Sequence, residues 1–80
     1  MILERWNPKT HEYEDFEVPD GRKVRCTALI MEELIDCASC GRTLPYKEMF
    51  TSIEIHTQHG FGYSVCPDCY EEEQRRYRNG

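Results

Sequence analysis

The chain has 80 residues, of which 39% are hydrophobic and 31% charged, and its formal net charge is −5 at pH 7. This length allows a single domain, residues 1–80, with a small core, and the hydrophobic content excludes a disordered chain. No apolar run approaches the roughly 20 residues of a membrane span, and the N-terminus lacks the apolar core of a signal peptide. A soluble, cytoplasmic protein is therefore expected, and its acidity works against binding to a phosphate backbone.

The N-terminal segment, residues 1–27, predicts an antiparallel β-meander. Turn-forming residues in WNPKT and VPDGR divide it into three strands. A loop at residues 19–21 would place Phe16 opposite Val24. The same register would set Glu14 opposite Cys26. The middle strand collects the acidic residues Glu12, Glu14, Asp15 and Glu17.

The next segment, residues 28–36, reads ALIMEELID and carries apolar side chains at Ile30, Met31, Leu34 and Ile35. Their spacing is closer to that of a helix than to that of a strand. Because the segment is short, the sequence is compatible with either a short helix or a strand.

Two C-x-x-C pairs follow, Cys37 with Cys40 and Cys66 with Cys69. In a reducing cytoplasm such pairs are more typical of metal ligands than of disulfides, and five cysteines cannot all pair with one another. Two pairs at this separation predict one tetrahedral Zn²⁺ per chain. Iron and a redox dithiol are the alternatives for the same residues. Gly41 is expected in the turn after the first pair, because glycine tolerates positive φ.

The remaining cysteine and the three histidines are not expected to bind metal. Cys26 is interpreted as a small buried hydrophobic residue, the usual role of a free cysteine. His56 is expected on the polar face of a strand and His59 in a loop, while His11 lies apart from both. No carboxylate–histidine motif that would mark a catalytic metal site is present.

The segment between the cysteine pairs predicts a β-hairpin, because apolar and polar residues alternate on both sides of QHG. A three-residue loop, Gln58-His59-Gly60, puts Gly60 at the left-handed position that such loops require. A two-residue loop, His59-Gly60, would mix the two faces of the hairpin. The three-residue loop pairs Thr57 with Phe61, Ile55 with Tyr63 and Ile53 with Val65.

The C-terminal segment, VCPDCYEEEQRRYR at residues 65–78, predicts a charged helix that begins at the second cysteine pair. Pro67 is tolerated in a first turn, and acids first with arginines last complement the helix dipole. Two acid–arginine pairs stand four residues apart in the favourable order, Glu71 with Arg75 and Glu72 with Arg76. One side of the helix, expected to face the protein, carries Cys66, Tyr70, Glu73 and Tyr77.

The order of a cysteine turn, a β-hairpin and a second cysteine pair entering a helix is the layout of a treble-clef zinc finger. A zinc ribbon, in which the second pair lies on another hairpin turn, is the alternative. The predicted fold is therefore a small α+β zinc-stabilised domain. Its N-terminal antiparallel β-meander is followed by a treble-clef or zinc-ribbon-like finger, residues 37–78, that ends in a short α-helix.

CASCGRTLPYK, from Cys37, resembles the first knuckle of the C4 zinc finger of the DksA/TraR family, which reads C-x-x-C-G and continues to a proline. In both, the closing C-x-x-C leads into an acidic helix. The resemblance covers residues 37–73 and implies zinc ligation by Cys37, Cys40, Cys66 and Cys69. This chain has a longer inner spacing and lacks the family's long acidic coiled coil that acts on RNA polymerase. Similar pairs also occur in small bacterial and phage inhibitors of sigma factors or polymerase.

Together these features predict a non-enzymatic protein-interaction module, a small regulator of bacterial or phage transcription machinery acting on RNA polymerase or a sigma factor. Four cysteine ligands close the zinc shell, and no phosphate loop or nucleophile elbow points to a small-molecule substrate. The aromatic residues expected at the surface are Trp6, Tyr13, Tyr46 and Phe61.

The alternative function is a nucleic-acid-binding zinc finger. Its basic patch would consist of Arg42, Lys47, Arg75, Arg76 and Arg78. The arginines among them are largely matched by the acidic residues Glu71, Glu72 and Glu73, and basic residues at a helix C-terminus often only complement its dipole. A protein partner is therefore the favoured prediction.

Overall fold

The structure is a computed structural model that describes residues 1–79 of the chain. Within that range the chain forms six strands, one short 3-10 turn and one α-helix. The elements are β1 (Ile2–Asn7), β2 (Glu12–Glu17), β3 (Leu34–Asp36), β4 (Thr43–Pro45), the 3-10 turn (Tyr46–Glu48), β5 (Phe50–His56), β6 (Gly62–Val65) and α1 (Pro67–Asn79). The chain thus has the α+β composition that the sequence predicts, with an antiparallel sheet and a C-terminal helix.

The larger sheet is antiparallel, in the order β2-β1-β5-β6. The β1–β2 hairpin confirms the first two strands of the predicted meander, with Leu3 opposite Phe16 and Trp6 opposite Tyr13. The predicted third strand is wrong. β2 is an edge strand of this sheet, and β5 lies on the other side of β1, with Arg5 opposite Ile55.

The segment assigned to that third strand bridges the two sheets. The Asp36 N–H donates to the Lys23 carbonyl (2.8 Å), and the Ser64 N–H donates to the Arg25 carbonyl (2.8 Å). Val24 and Cys26 consequently have no cross-strand partners on β2, and the predicted pairs with Phe16 and Glu14 do not form. The physical reason is that carbonyl groups of this segment accept hydrogen bonds from backbone N–H groups of β3 and β6. Pairing the segment with β2 would leave those N–H groups without acceptors.

The segment at residues 28–36 takes the strand alternative only at its end, in β3. Before β3 the chain turns, with the Glu33 N–H donating to the Ile30 carbonyl (3.1 Å). The apolar side chains that suggested a helix do not form a buried stripe. Of the four, Ile30, Met31 and Leu34 are exposed, and Ile35 is buried as part of β3.

The second hairpin, β5–β6, has the predicted loop. The Thr57 N–H donates to the Phe61 carbonyl (2.8 Å), and Gly60 has φ +87°. Further along the strands the predicted register is wrong, because Val65 lies opposite Phe50 rather than Ile53. A bulge between Thr51 and His56 shifts the pairing.

A serine hydroxyl accounts for the bulge. Ser52 Oγ accepts the backbone N–H groups of Glu54 (3.1 Å) and Ile55 (2.8 Å), which removes both from regular ladder bonds. Ser52 and Glu54 are thereby buried, although an undisturbed alternation would have placed them on the polar face.

The helix α1 confirms the predicted C-terminal element. Arg75 pairs with Glu71 at 2.8 Å, and Arg76 pairs with Glu72 at 3.8 Å, as the i, i+4 spacing predicts. None of the helices in the described part of the chain has the length and apolar character needed to cross a membrane.

Polar contacts attach α1 to the larger sheet. The Glu73 carboxylate accepts hydrogen bonds from the Ser52 hydroxyl (2.6 Å) and the Ile53 N–H (2.9 Å). Arg76 makes two hydrogen bonds to Glu54 (2.8 and 3.1 Å). Tyr77, which was predicted to face the protein, is 66% exposed.

The core is small. Its buried apolar side chains within the described range are Leu3, Val18, Ile35, Cys37, Ala38, Ile55, Val65 and Cys66. Two of these eight are cysteines from the C-x-x-C pairs, one from each pair. The core therefore includes one side chain from each cysteine pair.

Candidate metal centre

Four cysteine sulfurs converge at one point between the smaller sheet and α1. The Sγ atoms of Cys37, Cys40, Cys66 and Cys69 all lie within 4.8 Å of one another. Cys40 Sγ and Cys66 Sγ are 3.7 Å apart. Four sulfurs at about 2.3 Å from a tetrahedral ion lie about 3.8 Å from each other, so one ion fits with a contraction of about 1 Å at the widest separation.

The first pair lies on the turn between β3 and β4. The Cys37 N–H donates to the Arg42 carbonyl (2.8 Å), and the Gly41 N–H donates to the Cys37 carbonyl (2.9 Å). The Cys40 N–H points at Cys37 Sγ (3.4 Å). Gly41 has φ +86°, which confirms the predicted reason for a glycine here. These bonds direct both sulfurs to the same side of the hairpin.

The second pair lies where β6 ends and α1 begins. Cys66 precedes the helix, Pro67 is its first residue, and Cys69 follows within the first turn. The Tyr70 N–H donates to the Cys66 carbonyl (3.0 Å), which closes that turn. The positive end of the helix dipole favours thiolates at this position.

The sulfurs differ in burial and in proton affinity. Burial is the largest influence on Cys37 and opposes ionisation. The backbone N–H groups of Cys40, Cys66 and Ser39 nevertheless hydrogen-bond its sulfur and bring the pKa of Cys37 below its usual value. Burial raises the pKa of Cys40, and it raises that of Cys69 well above the ordinary range, where the hydrogen bond with Cys66 adds to it. A divalent cation would allow all four thiols to ionise together, with release of their protons.

Cys26 does not belong to this cluster. It is half-buried, and burial raises the pKa of its thiol. The predicted role as a small apolar residue is thus met only in part, because the side chain stays partly open to solvent.

The roles of the five cysteines are expected to separate in single serine variants. Cys69→Ser removes a soft thiolate and should lower the metal content from one ion per chain towards zero. Cys26→Ser should keep one ion per chain and cost about 1 kcal/mol or less, because the site is only half-buried. Elemental analysis of the purified variants decides this. Loss of metal from Cys26→Ser with retention in Cys69→Ser would contradict the assignment.

The histidines lie away from the sulfurs. His59 is in the β5–β6 loop and exposed, as predicted. His56 is half-buried rather than fully solvated, and its Nδ1 lies 3.2 Å from the Tyr13 hydroxyl. Burial lowers the pKa of His56, with Glu4 acting in the opposite direction. His11 lies in the β1–β2 turn at φ +57° and stacks on Trp6. Among residues 1–79 the four cysteines form the one group placed to hold a metal.

Comparison with known proteins gives no relative for this chain: no protein-family model, no curated protein and no solved structure matches it. The likeness to the DksA/TraR finger therefore depends on the residues of the two cysteine motifs alone. The function has to be argued from the geometry of the site and the surface around it.

Proposed function

We propose that the protein is a non-enzymatic, zinc-stabilised protein-interaction module. The observation that carries the proposal is the convergence of four cysteine sulfurs from two C-x-x-C pairs within 4.8 Å. Zinc is the metal that most often takes four cysteines in a tetrahedral structural site. Iron also binds four cysteines, and elemental analysis of the purified protein would show which of the two metals is present.

The layout of the elements supports a treble-clef finger over a zinc ribbon. The first pair lies on the β3–β4 turn, the β5–β6 hairpin follows, and Cys69 lies inside α1. In a zinc ribbon the second pair would lie on a hairpin turn. The treble clef is accordingly part of the proposal.

The donor set supports a structural role for the metal. A catalytic zinc keeps one coordination position for water or substrate, whereas four cysteines fill the shell. The ion would hold the knuckle and the helix together and leave the surrounding surface to bind a partner.

The distribution of charge supports a protein partner over a nucleic acid. The predicted basic patch is largely neutralised, with Arg42 at 3.3 Å from Asp68, Arg75 at 2.8 Å from Glu71 and Arg76 at 2.8 Å from Glu54. The net charge of −5 would become more negative on binding one Zn²⁺ through four thiolates. Among the described residues of that patch, Lys47 and Arg78 lie outside an ion pair, which leaves two cations of the patch to displace the counterions of a phosphate backbone.

Surface aromatics give such a partner something to bind. Tyr13 and Phe61 are exposed, as predicted, while Trp6 and Tyr46 are half-buried. The resemblance of residues 37–73 to the DksA/TraR finger makes bacterial or phage transcription machinery, RNA polymerase or a sigma factor, the first partner class to test.

The test is a binding titration with purified bacterial RNA polymerase and with a sigma factor, each against the metal-loaded protein. We expect saturable binding to one of them that is lost in Cys69→Ser, because the fold that presents the surface is lost. Duplex DNA should not bind at physiological salt. DNA binding at about 1 μM or tighter, with steep salt dependence, would favour the nucleic-acid finger instead.

A further inference from the structure

A groove runs across one face of the larger sheet, beside α1. Three adjoining hollows form it, with volumes of about 350, 610 and 400 Å³. His56 lines the first and second hollows, and Tyr77 lines the second and third, so neighbouring hollows share a side chain. We call it the aromatic groove and define it by Glu4, Trp6, Tyr13, Asp15, His56 and Tyr77.

The strand register places the groove residues of the sheet on one face. Trp6 lies directly opposite Tyr13, and Glu4 lies opposite Asp15 on β2. Glu4 also lies opposite His56 on β5. Residues directly opposite each other in antiparallel strands project to the same side, so these five side chains share a surface.

The aromatic side chains of the groove hold one another in place. Tyr13 packs edge-on against Trp6 (ring centroids 5.2 Å apart) and against His56 (5.7 Å). The Tyr13 hydroxyl also bonds His56 Nδ1 at 3.2 Å. Trp6 also stacks on His11, with ring centroids 5.9 Å apart. Rigid tryptophan and tyrosine side chains at a surface are the residues that most often dominate binding to a protein partner.

The first hollow carries two carboxylates, and Met1, whose ammonium pairs with Asp20 at 3.6 Å, also lines it. Glu4 and Asp15 line it together and stand directly opposite each other, where two like charges destabilise a sheet. Within residues 1–79 neither carboxylate lies in an ion pair. Arg78 lines the middle hollow, so the negative charge is confined to the end of the groove at Glu4 and Asp15. A cation from outside would relieve this repulsion.

We propose that the aromatic groove binds an extended, arginine-bearing segment of a partner protein. One guanidinium lies between Glu4 and Asp15, and the following side chains lie along Tyr13 and Trp6. A planar guanidinium bonds carboxylates in pairs and also stacks on aromatic rings, so arginine fits this surface better than lysine. The carboxylates would repel the phosphates of a nucleic acid. The inference rests on the proposed role as a protein-interaction module and names the chemistry of its partner.

Binding in the groove can be followed by the fluorescence of Trp6, because it is the chain's single tryptophan. The probe is the capped peptide Ac-Arg-Val-Arg-Val-Arg-Val-amide, titrated into the metal-loaded protein while tryptophan fluorescence is recorded. The control peptide has citrulline in place of each arginine, which keeps the shape and removes the charge. We expect a saturable change with the arginine peptide and at least about tenfold weaker binding of the citrulline peptide.

A pair of matched variants locates the binding. Glu4→Gln with Asp15→Asn removes both groove carboxylates and should lower the affinity for the arginine peptide by about tenfold. Glu12→Gln with Glu48→Gln removes the same net charge from exposed sites outside the groove and should change affinity by less than about twofold. Both double variants should keep one metal ion per chain and the circular dichroism spectrum of the unaltered protein, which shows that the fold is kept.

Three results would overturn the proposal: equal affinity for the arginine and citrulline peptides, equal losses in the two double variants, or preferential binding of oligouridylate RNA in the groove. The outcome is separable from that of the proposed function. If Glu4→Gln with Asp15→Asn still binds polymerase or a sigma factor at full affinity, the interaction module stands and the groove is not its binding surface.

Discussion

Removal of the metal is expected to unfold residues 35–78 and, with them, the rest of the domain. Structural zinc sites bind their ion with about 10–16 kcal/mol at neutral pH. The stability of a domain of 80 residues is typically about 4–12 kcal/mol. Loss of the ion therefore removes as much free energy as folding supplies. Two of the eight buried apolar side chains are cysteines of the cluster, so the remaining core is smaller still.

The N-terminal hairpin is held to the rest of the domain largely through β5, which lies within the residues expected to unfold. β1 pairs with β5 only through Glu4–His56 and Arg5–Ile55, and an isolated two-stranded hairpin is marginal in water. We therefore expect the circular dichroism and the amide NMR dispersion of the whole chain to collapse with a strong chelator and to return when one equivalent of Zn²⁺ is added. Cys26→Ser serves as the matched control and should behave like the unaltered protein. A metal-free form with native amide dispersion for residues 35–78 would contradict a structural site.

The sequence predicts the local chemistry of the site well because that chemistry is short-range. Two C-x-x-C pairs, Gly41 and the proline and acids at the start of α1 each act within a few residues. Spacing alone therefore predicts the turn, the helix start and the convergence of the four sulfurs. The β5–β6 loop is likewise predicted by Gly60, whose φ of +87° needs no information from elsewhere in the chain.

The strand pairing could not be predicted in the same way. Alternation assigns faces to a strand but does not choose its neighbour. Residues 22–26, predicted beside β2, instead accept hydrogen bonds from residues of β3 and β6, and β5 lies on the other side of β1. The bulge in β5 comes from one side chain, Ser52, whose hydroxyl takes two backbone N–H groups. Nothing in the local pattern distinguishes this serine from an exposed one.

The burial of two glutamates could not be predicted from the sequence, for a related reason. Glu54 is 3% exposed and accepts from Arg5 and Arg76, which are 49 and 22 residues away in sequence. Glu73 was expected only to lie along the inner side of the helix, yet it is among the most buried side chains of the chain. A buried carboxylate can be recognised only when the donors that satisfy it are known, and those are brought together by the tertiary fold.

Glu73→Ala is expected to destabilise the metal-loaded protein by about 3 kcal/mol or more. The substitution leaves the Ser52 hydroxyl and the Ile53 N–H without their acceptor, and each orphaned buried donor costs about 1–3 kcal/mol. It also opens a cavity between α1 and β5, where Glu73 is 1% exposed. Urea unfolding of the metal-loaded protein measures the change. Glu71→Ala, one half-turn earlier and exposed, is the matched control and should change stability by about 0.5 kcal/mol or less.

Comparison of the unaltered protein with Glu73→Gln tests how the contribution of Glu73 to stability depends on pH. Burial raises the pKa of Glu73 above its ordinary 4.5, against hydrogen bonds from Ser52 and Ile53 that lower it. A carboxyl with a raised pKa binds its proton more tightly in the folded state. Its contribution is therefore complete below the unfolded pKa and is lost as the pH rises through the folded pKa. Glutamine cannot ionise, so the stability of the unaltered protein relative to Glu73→Gln should fall as the pH rises above about 4.5. Both proteins are expected to release metal over the same acid range. The difference between their free energies of unfolding therefore reports the ionisation of the Glu73 carboxyl alone. A difference that stays constant with pH would show that folding does not raise the pKa of Glu73. Glu73→Ala as stable as Glu71→Ala would show that this buried side chain does not hold the helix to the sheet.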